Sequence, residues 1–176
     1  MLYFLCYNSF INEVIMVNYK WFKKNVPKNI KVTQVYGIVF SSDGRVLLRI
    51  EDGKYTLTGG HPEKNEKYTE TLRREYNEEI NVTLKKIHYL GYQLVFEDNK
   101  EPYAQVRMIA KIHKVGKIRP DIDNGKIYDR KLVCFKNVKK YLNYSGASGN
   151  EMIEDAIKLA HQIYNFEHIE EKEEMI

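Results

Sequence analysis

The stretch running from Tyr68 through Arg73-Arg74-Glu75-Tyr76-Asn77-Glu78-Glu79 to Ile80 limits what this chain can become more than any other. Tyr68, Leu72, Tyr76 and Ile80 recur every fourth residue, which is the spacing of one apolar stripe on an α-helix. Glu75, Glu78 and Glu79 stand at i, i+3 and i+4, so they share another face of the same helix. Three like charges there repel, and Arg74 offsets only part of that. The helix therefore needs a core for its apolar stripe, and its acidic face makes sense if a hard cation sits between the carboxylates. Asn81 follows, and asparagine tolerates the left-handed conformation that ends many helices. In front of the helix, Gly59-Gly60 lets backbone approach a ligand or metal closely. Taken alone, such an acidic run also suits a solvated helix surface. Its spacing from Gly60 and Glu66 argues for a site.

The segments around this helix read as strands. Lys31 to Phe40, Arg45 to Ile50, Tyr55 to Thr58, Leu84 to Phe96 and Tyr103 to His113 are rich in β-branched and aromatic residues, with turns at 41–44 and 51–54. Gly91 marks a bulge or bend. Along Tyr103–His113, Ala104, Val106, Met108, Ala110 and Ile112 face one way, and Tyr103, Gln105, Arg107, Ile109 and Lys111 the other. Asp121 to Gly125 resembles a calcium loop only faintly, since glycine and the final acid are misplaced, and reads as a turn. A short strand follows over 130–135. Ser148-Gly-Asn-Glu151 fits a capping box opening a helix with Met152, Ile153, Ala156, Ile157, Ala160, Ile163 and Tyr164 on one face. Strands, helix, strands, helix give an α+β class, with helices packed on a mixed sheet.

Residues 18–166 read as one domain. Residues 1–17 form an N-terminal extension whose role is open: a strand or helix on the domain, or a segment upstream of a natural start at Met16. It lacks the basic flank and cleavage site of a signal peptide and is too short and polar to span a bilayer. The tail over 167–176, with Glu170-Glu171-Lys172-Glu173-Glu174, is expected to fray. The net charge of +4 is spread over scattered lysines, which suits a phosphate-bearing ligand or a plain solvated surface. Lys111, Lys114, Lys117 and Arg119 could line a groove for RNA, but no aromatic residue alternates with them. Cys6 and Cys134 show no metal or redox spacing and point to thiols in a reducing cytoplasm.

The segment Gly60 to Val82 resembles the Nudix box of the Nudix hydrolases. That pattern is Gly, five residues, Glu, seven residues, Arg-Glu, a bulky residue, any residue, Glu-Glu, any residue, Gly and a bulky apolar residue. Gly60, Glu66, Arg74, Glu75, Glu78, Glu79 and Val82 match, Tyr76 fills the bulky position, and Asn81 replaces the glycine. Because Asn is the best substitute at that cap, exchanging Asn81 for Gly is expected to keep activity and raise stability slightly.

The resemblance implies a Nudix-like α/β/α sandwich with a mixed central sheet. It implies a metal-dependent hydrolase cleaving a diphosphate bond in a nucleoside diphosphate linked to another moiety, such as a nucleoside triphosphate, nucleotide-sugar or dinucleoside polyphosphate. By the same resemblance the cofactor is Mg²⁺, with Mn²⁺ as a substitute. Its ligands are Glu75 and Glu79, then Glu78, with a carbonyl of Gly59 or Gly60. Arg74 and Glu66 support the loop and orient the glutamates. The base is a box glutamate or an acid of the later loop, Glu97, Asp98 or Glu101. Gly59, Gly60 and His61 are candidate substrate contacts. Tyr36, Tyr55, Tyr92 and Tyr103 could stack on a base, though 14 tyrosines argue against singling one out. Arg49 and Arg107 could contact phosphate or ribose, but surface salt bridges account for them as well. The competing reading is a catalytically weak Nudix-like module that binds a nucleotide or RNA; retention of every box glutamate argues for an enzyme. Capped RNA as substrate and a homodimer both stay open, and no membrane association is expected.

Overall fold

The computed structural model describes residues 4–7, 14–142, 146–166 and 168–176. Its strands are β1 (Phe4–Tyr7), β2 (Val14–Phe22), β3 (Lys31–Phe40), β4 (Val46–Glu51), β5 (Lys54–Thr56), β6 (Gly59–Gly60), β7 (Val82–Glu97), β8 (Tyr103–Val115), β9 (Asp129–Val133) and β10 (Glu174–Met175). The helices are α1 (Tyr68–Ile80), a short α2 (Val138–Tyr141) preceded by a 3-10 turn, and α3 (Gly146–Ile163). All these strands join one sheet in the order β1-β2-β7-β8-β3-β4-β9-β10, with β5 on β4 and β6 on β3. β3 and β8 run parallel and the other pairs antiparallel, so the sheet is mixed as expected.

β3 and β8 lie in the middle, and apolar side chains on both faces explain why. Leu72, Tyr76 and Ile80 of α1 pack with Val35, Val39, Val106 and Met108 on one face. Met152, Ile153, Ala156 and Ala160 of α3 pack with Ile38, Phe40, Leu48 and Ile109 on the other. Each large side chain so buried contributes roughly 1.5–3 kcal/mol. The result is the α/β/α sandwich, with α1 held along its apolar stripe. Register shifts in the β7–β8 ladder include one between Tyr89 and Gly91, where the bulge was expected.

One expectation changes, and both ends of the chain take part in the sheet. α3 starts at Gly146, so Ser148 lies inside its first turn and does not cap it. Its hydroxyl instead accepts a hydrogen bond from Gln93 Nε2 at 3.2 Å, a long-range use that a local motif does not reveal. The boundary at residue 17 cuts through β2, which pairs with β7 from Val17–Glu97 to Phe22–Tyr92. Within the acidic tail, β10 pairs with β9, and Glu173 accepts from Asn137 and Tyr141 and pairs with Lys131 at 3.1 Å. No helix among the described residues is long and apolar enough to cross a membrane.

Candidate active site

The loop before α1 is built for close approach. Gly59 has φ 151°, and a Cβ there would lie 2.1 Å from the Val35 carbonyl oxygen, so only glycine fits. At Gly60 a Cβ would lie 2.3 Å from Glu75 Oε1. The bare backbone of Gly60 is thus what lets the Glu75 carboxylate rest against the loop. The Lys67 amide donates to Glu70 Oε2 at 2.9 Å, which starts the helix.

Arg74 ties the loop to the helix. Its Nε and Nη2 donate to Glu66 at 3.0 and 3.2 Å, Nη2 also to the His61 carbonyl at 2.9 Å, and Nη1 to Glu75 at 2.8 Å and Glu78 at 3.0 Å. Glu66 is fixed further by the Glu63 amide and the Thr71 hydroxyl. Burial pushes the Glu66 carboxyl up, but these hydrogen bonds outweigh it and hold it below the usual range. Loop, Arg74 and two of the three helix glutamates therefore form one rigid unit. His61 contributes its carbonyl to that unit, while its residue is exposed.

Glu79 differs from its neighbours. Arg49 of β4 binds its Oε1, and the same guanidinium bonds Thr56 and stacks on Tyr128 at 4.4 Å. The other oxygen, Oε2, is buried without a hydrogen-bond partner. Burial foremost, then the charges of Glu75 and Asp121, push Glu79 up to about 7 against the pull of Arg49. Glu75 is also raised, again by burial first and then by Glu78 and Asp123, with Arg74 opposing. A buried carboxylate oxygen with no donor, beside a second carboxylate, costs free energy unless a cation joins it.

The structure thus brings together Gly59, Gly60, Glu66, Arg74, Glu75, Glu78 and Glu79. It adds Arg49, which engages Glu79 from the inside and is no surface salt bridge. It also brings near two acids that the sequence reading passed over as a turn: Asp121 and Asp123 act on Glu79 and Glu75. The only local sign was their own turn chemistry, with Asp121 accepting from the Asp123 amide at 2.9 Å. Glu97 goes elsewhere, accepting from Lys100 and Tyr103 on the β7–β8 turn. Arg107 is 1% exposed and lies within the sheet–α3 layer, also contrary to a surface salt bridge.

A model of the NUDIX domain matches residues 31–148. The chain belongs to the Nudix hydrolase family. Nudix hydrolases act on pyrophosphate bonds in nucleotide-like substrates, and solved structures resemble this one in fold. The Bacillus subtilis pyrophosphohydrolase BsRppH superposes with a TM-score of 0.64 at 20% identity, over 93% of this chain and 99% of that one. A MutT structure from work on Aliivibrio salmonicida and Vibrio cholerae gives 0.53 at 18% identity, over 75% and 98%. The MutT protein from Bacillus halodurans gives 0.55 at 21%, over 72% and 82%. No curated protein sequence matches the chain.

Proposed function

We propose that this Nudix pyrophosphohydrolase cleaves the diphosphate bond of a nucleoside diphosphate linked to another moiety, with Mg²⁺ held by Glu75, Glu79 and the Gly60 carbonyl, and Mn²⁺ able to replace it. A nucleoside triphosphate, a nucleotide-sugar and a dinucleoside polyphosphate all fit that description. The observation that carries the reading is the orphaned Oε2 of Glu79 beside Glu75. The donor set fits the ion: a hard cation wants oxygen, and Mg²⁺ commonly takes one or two carboxylates with the rest from water and substrate phosphates. When bound, the cation neutralises charge on the phosphate oxygens and lowers the pKa of the attacking water.

The chain's own residues do the positioning. Arg49 occupies Oε1 of Glu79 and leaves Oε2 for coordination. Arg74 fixes Glu75 against the Gly60 backbone and spends all its N–H groups on protein, so it orients and does not bind phosphate. With Glu75 and Glu79 engaged, we assign Glu78 to take the proton from the attacking water; its side chain is the most exposed of the three, at 21% against 12% and 14%. We place the enzyme in the cytoplasm, where the buried Cys134 thiol stays reduced.

The test is phosphate release, with coupled phosphatases, across nucleoside triphosphates, nucleotide-sugars, dinucleoside polyphosphates and capped RNA, with and without Mg²⁺ or Mn²⁺. Metal-dependent turnover of one class is expected, falling at least about a hundredfold in Glu79→Gln with unchanged circular dichroism. Full activity of Glu79→Gln would move the metal site elsewhere.

A further inference from the structure

On the α3 face, the sheet carries a polar chain where its neighbours are apolar. Arg107 donates through Nη2 to Gln93 at 2.6 Å and to Gln105 at 2.9 Å, and through Nε to the Met152 sulfur at 3.1 Å. Gln105 Nε2 in turn donates to Gln34 Oε1 at 2.8 Å. A guanidinium has only donors, so it fixes the amide of Gln105 with its oxygen inward and its nitrogen toward Gln34. Gln34 must then turn its own oxygen to Gln105 and its NH₂ away. The row ends in amide donors on a half-buried residue.

The place of this row matters. Tyr36 pairs with Arg107 on one side and with Gly59 on the other, so the row adjoins the glycine loop of the active site. β4 pairs with β3 only at Val39 and Phe40, and β6 takes its place at Val35 and Tyr36. Tyr36 lies under Arg107 on the α3 face, with the guanidinium 4.7 Å from its ring, while its backbone pairs with Gly59 of the active-site loop. Gln34 sits two residues along β3 from Tyr36, roughly 6–7 Å away on the same face. Gln34 directly precedes Val35, the partner of Gly60, and a Cβ on Gly60 would lie 2.3 Å from Glu75 Oε1, so the end of the row is one strand position from the loop on which Glu75 rests.

We propose that Gln34, oriented through Gln105 by buried Arg107, reads the substrate's nucleobase by donating to a ring carbonyl, so that the site takes 6-keto purines over 6-amino purines. The proposal rests on the nucleotide-hydrolase reading above. The reason for the preference is chemical: a fixed donor pairs with the 6-keto oxygen, whereas a 6-amino purine presents another donor at that position, which the amide NH₂ cannot accept.

ITP and ATP carry the same ribose and phosphates and differ at this edge, so their kcat/KM ratio with Mg²⁺ isolates it. Wild type is expected to favour ITP by about tenfold or more, the scale of one specific base contact. Gln34→Glu, which turns the donor into an acceptor, should bring the ratio below one, and Gln34→Leu should bring it near one. Equal use of both nucleotides by wild type, or a ratio that Gln34→Glu does not move, would overturn the proposal. If no nucleotide is turned over, the hydrolase reading fails separately, and calorimetric binding of IMP and AMP with Mg²⁺ decides. A preference for IMP that Gln34→Glu reverses sustains the base-reading role; no difference between the two overturns it.

Discussion

At the scale of single residues, the geometry shows how a side chain's backbone setting and its partners compete. Asn81 ends α1 at φ 47° and ψ 49°, the left-handed cap that its identity suggested. Glycine adopts that conformation without cost, so the cap alone would favour Asn81→Gly. However, Asn81 Nδ2 also donates to the Lys117 carbonyl at 2.9 Å, tying the loop after β8 to the helix end. An exposed hydrogen bond of this kind is worth about 1 kcal/mol, close to the gain from glycine. The exchange is therefore expected to leave stability within about 1 kcal/mol of wild type by urea unfolding, without the gain inferred from sequence. Activity should hold, because the catalytic carboxylates take no bond from Asn81. Arg74 illustrates the same lesson: its identity was legible from spacing, but its fivefold engagement with Glu66, Glu75, Glu78 and His61 was not.

At the scale of elements, α1 has an electrostatic problem that its own sequence does not solve. The negative end of a helix dipole lies at the C-terminus, and here Glu78 and Glu79 occupy the last turn with no basic residue among them. The remedy comes from β9 and the loop before it. Arg130, 3% exposed, donates to the Ile80 carbonyl at 2.6 Å and to the Gly116 carbonyl at 3.0 Å. Arg119 donates to the Asn77 carbonyl at 3.0 Å. Removing the Arg130 guanidinium takes the donor from the buried Ile80 carbonyl and the part-buried Gly116 carbonyl, the first costing about 1–3 kcal/mol. Arg130→Met is expected to destabilise by about 3 kcal/mol or more in denaturant titration. A loss under 1 kcal/mol would show that water replaces it. The elements themselves were largely legible: α1 spans Tyr68–Ile80, as its four-residue periodicity predicts, and β3 spans Lys31–Phe40, as its β-branched and aromatic content predicts. The charges that complete the site were not. Arg49 and Arg130 reach α1 from strands 30 and 50 residues away in sequence, and nothing in their own segments says where they point.

At the scale of the whole molecule, the acidic C-terminal segment completes the sheet edge. Local composition argued for fraying, since Glu170, Glu171, Glu173 and Glu174 repel one another in isolation. Their partners are distant: Lys136 for Glu171, Lys131, Asn137 and Tyr141 for Glu173, and Arg45 for Glu174. Glu173 is the most enclosed of these contacts. Burial pushes its carboxyl up, but the hydrogen bonds from Tyr141, Asn137 and Lys131 outweigh that and hold it below the usual range. The sign of the pH effect follows. A carboxyl depressed in the folded state contributes its stability above its unfolded pKa, near 4.3, and loses it as pH falls through the lower folded value. The tail is thus expected to stay docked at neutral pH and loosen in acid. Hydrogen exchange at the amide of Ile176, which donates to the Arg130 carbonyl at 3.0 Å, reports this directly. After correction for the intrinsic pH dependence of exchange, its protection should fall below about pH 4 in wild type. In Glu173→Gln, protection at pH 7 should already be reduced and should depend less on acid. Equal protection in both proteins across this range would place the holding force in the β9–β10 backbone pairing and Arg45–Glu174 instead.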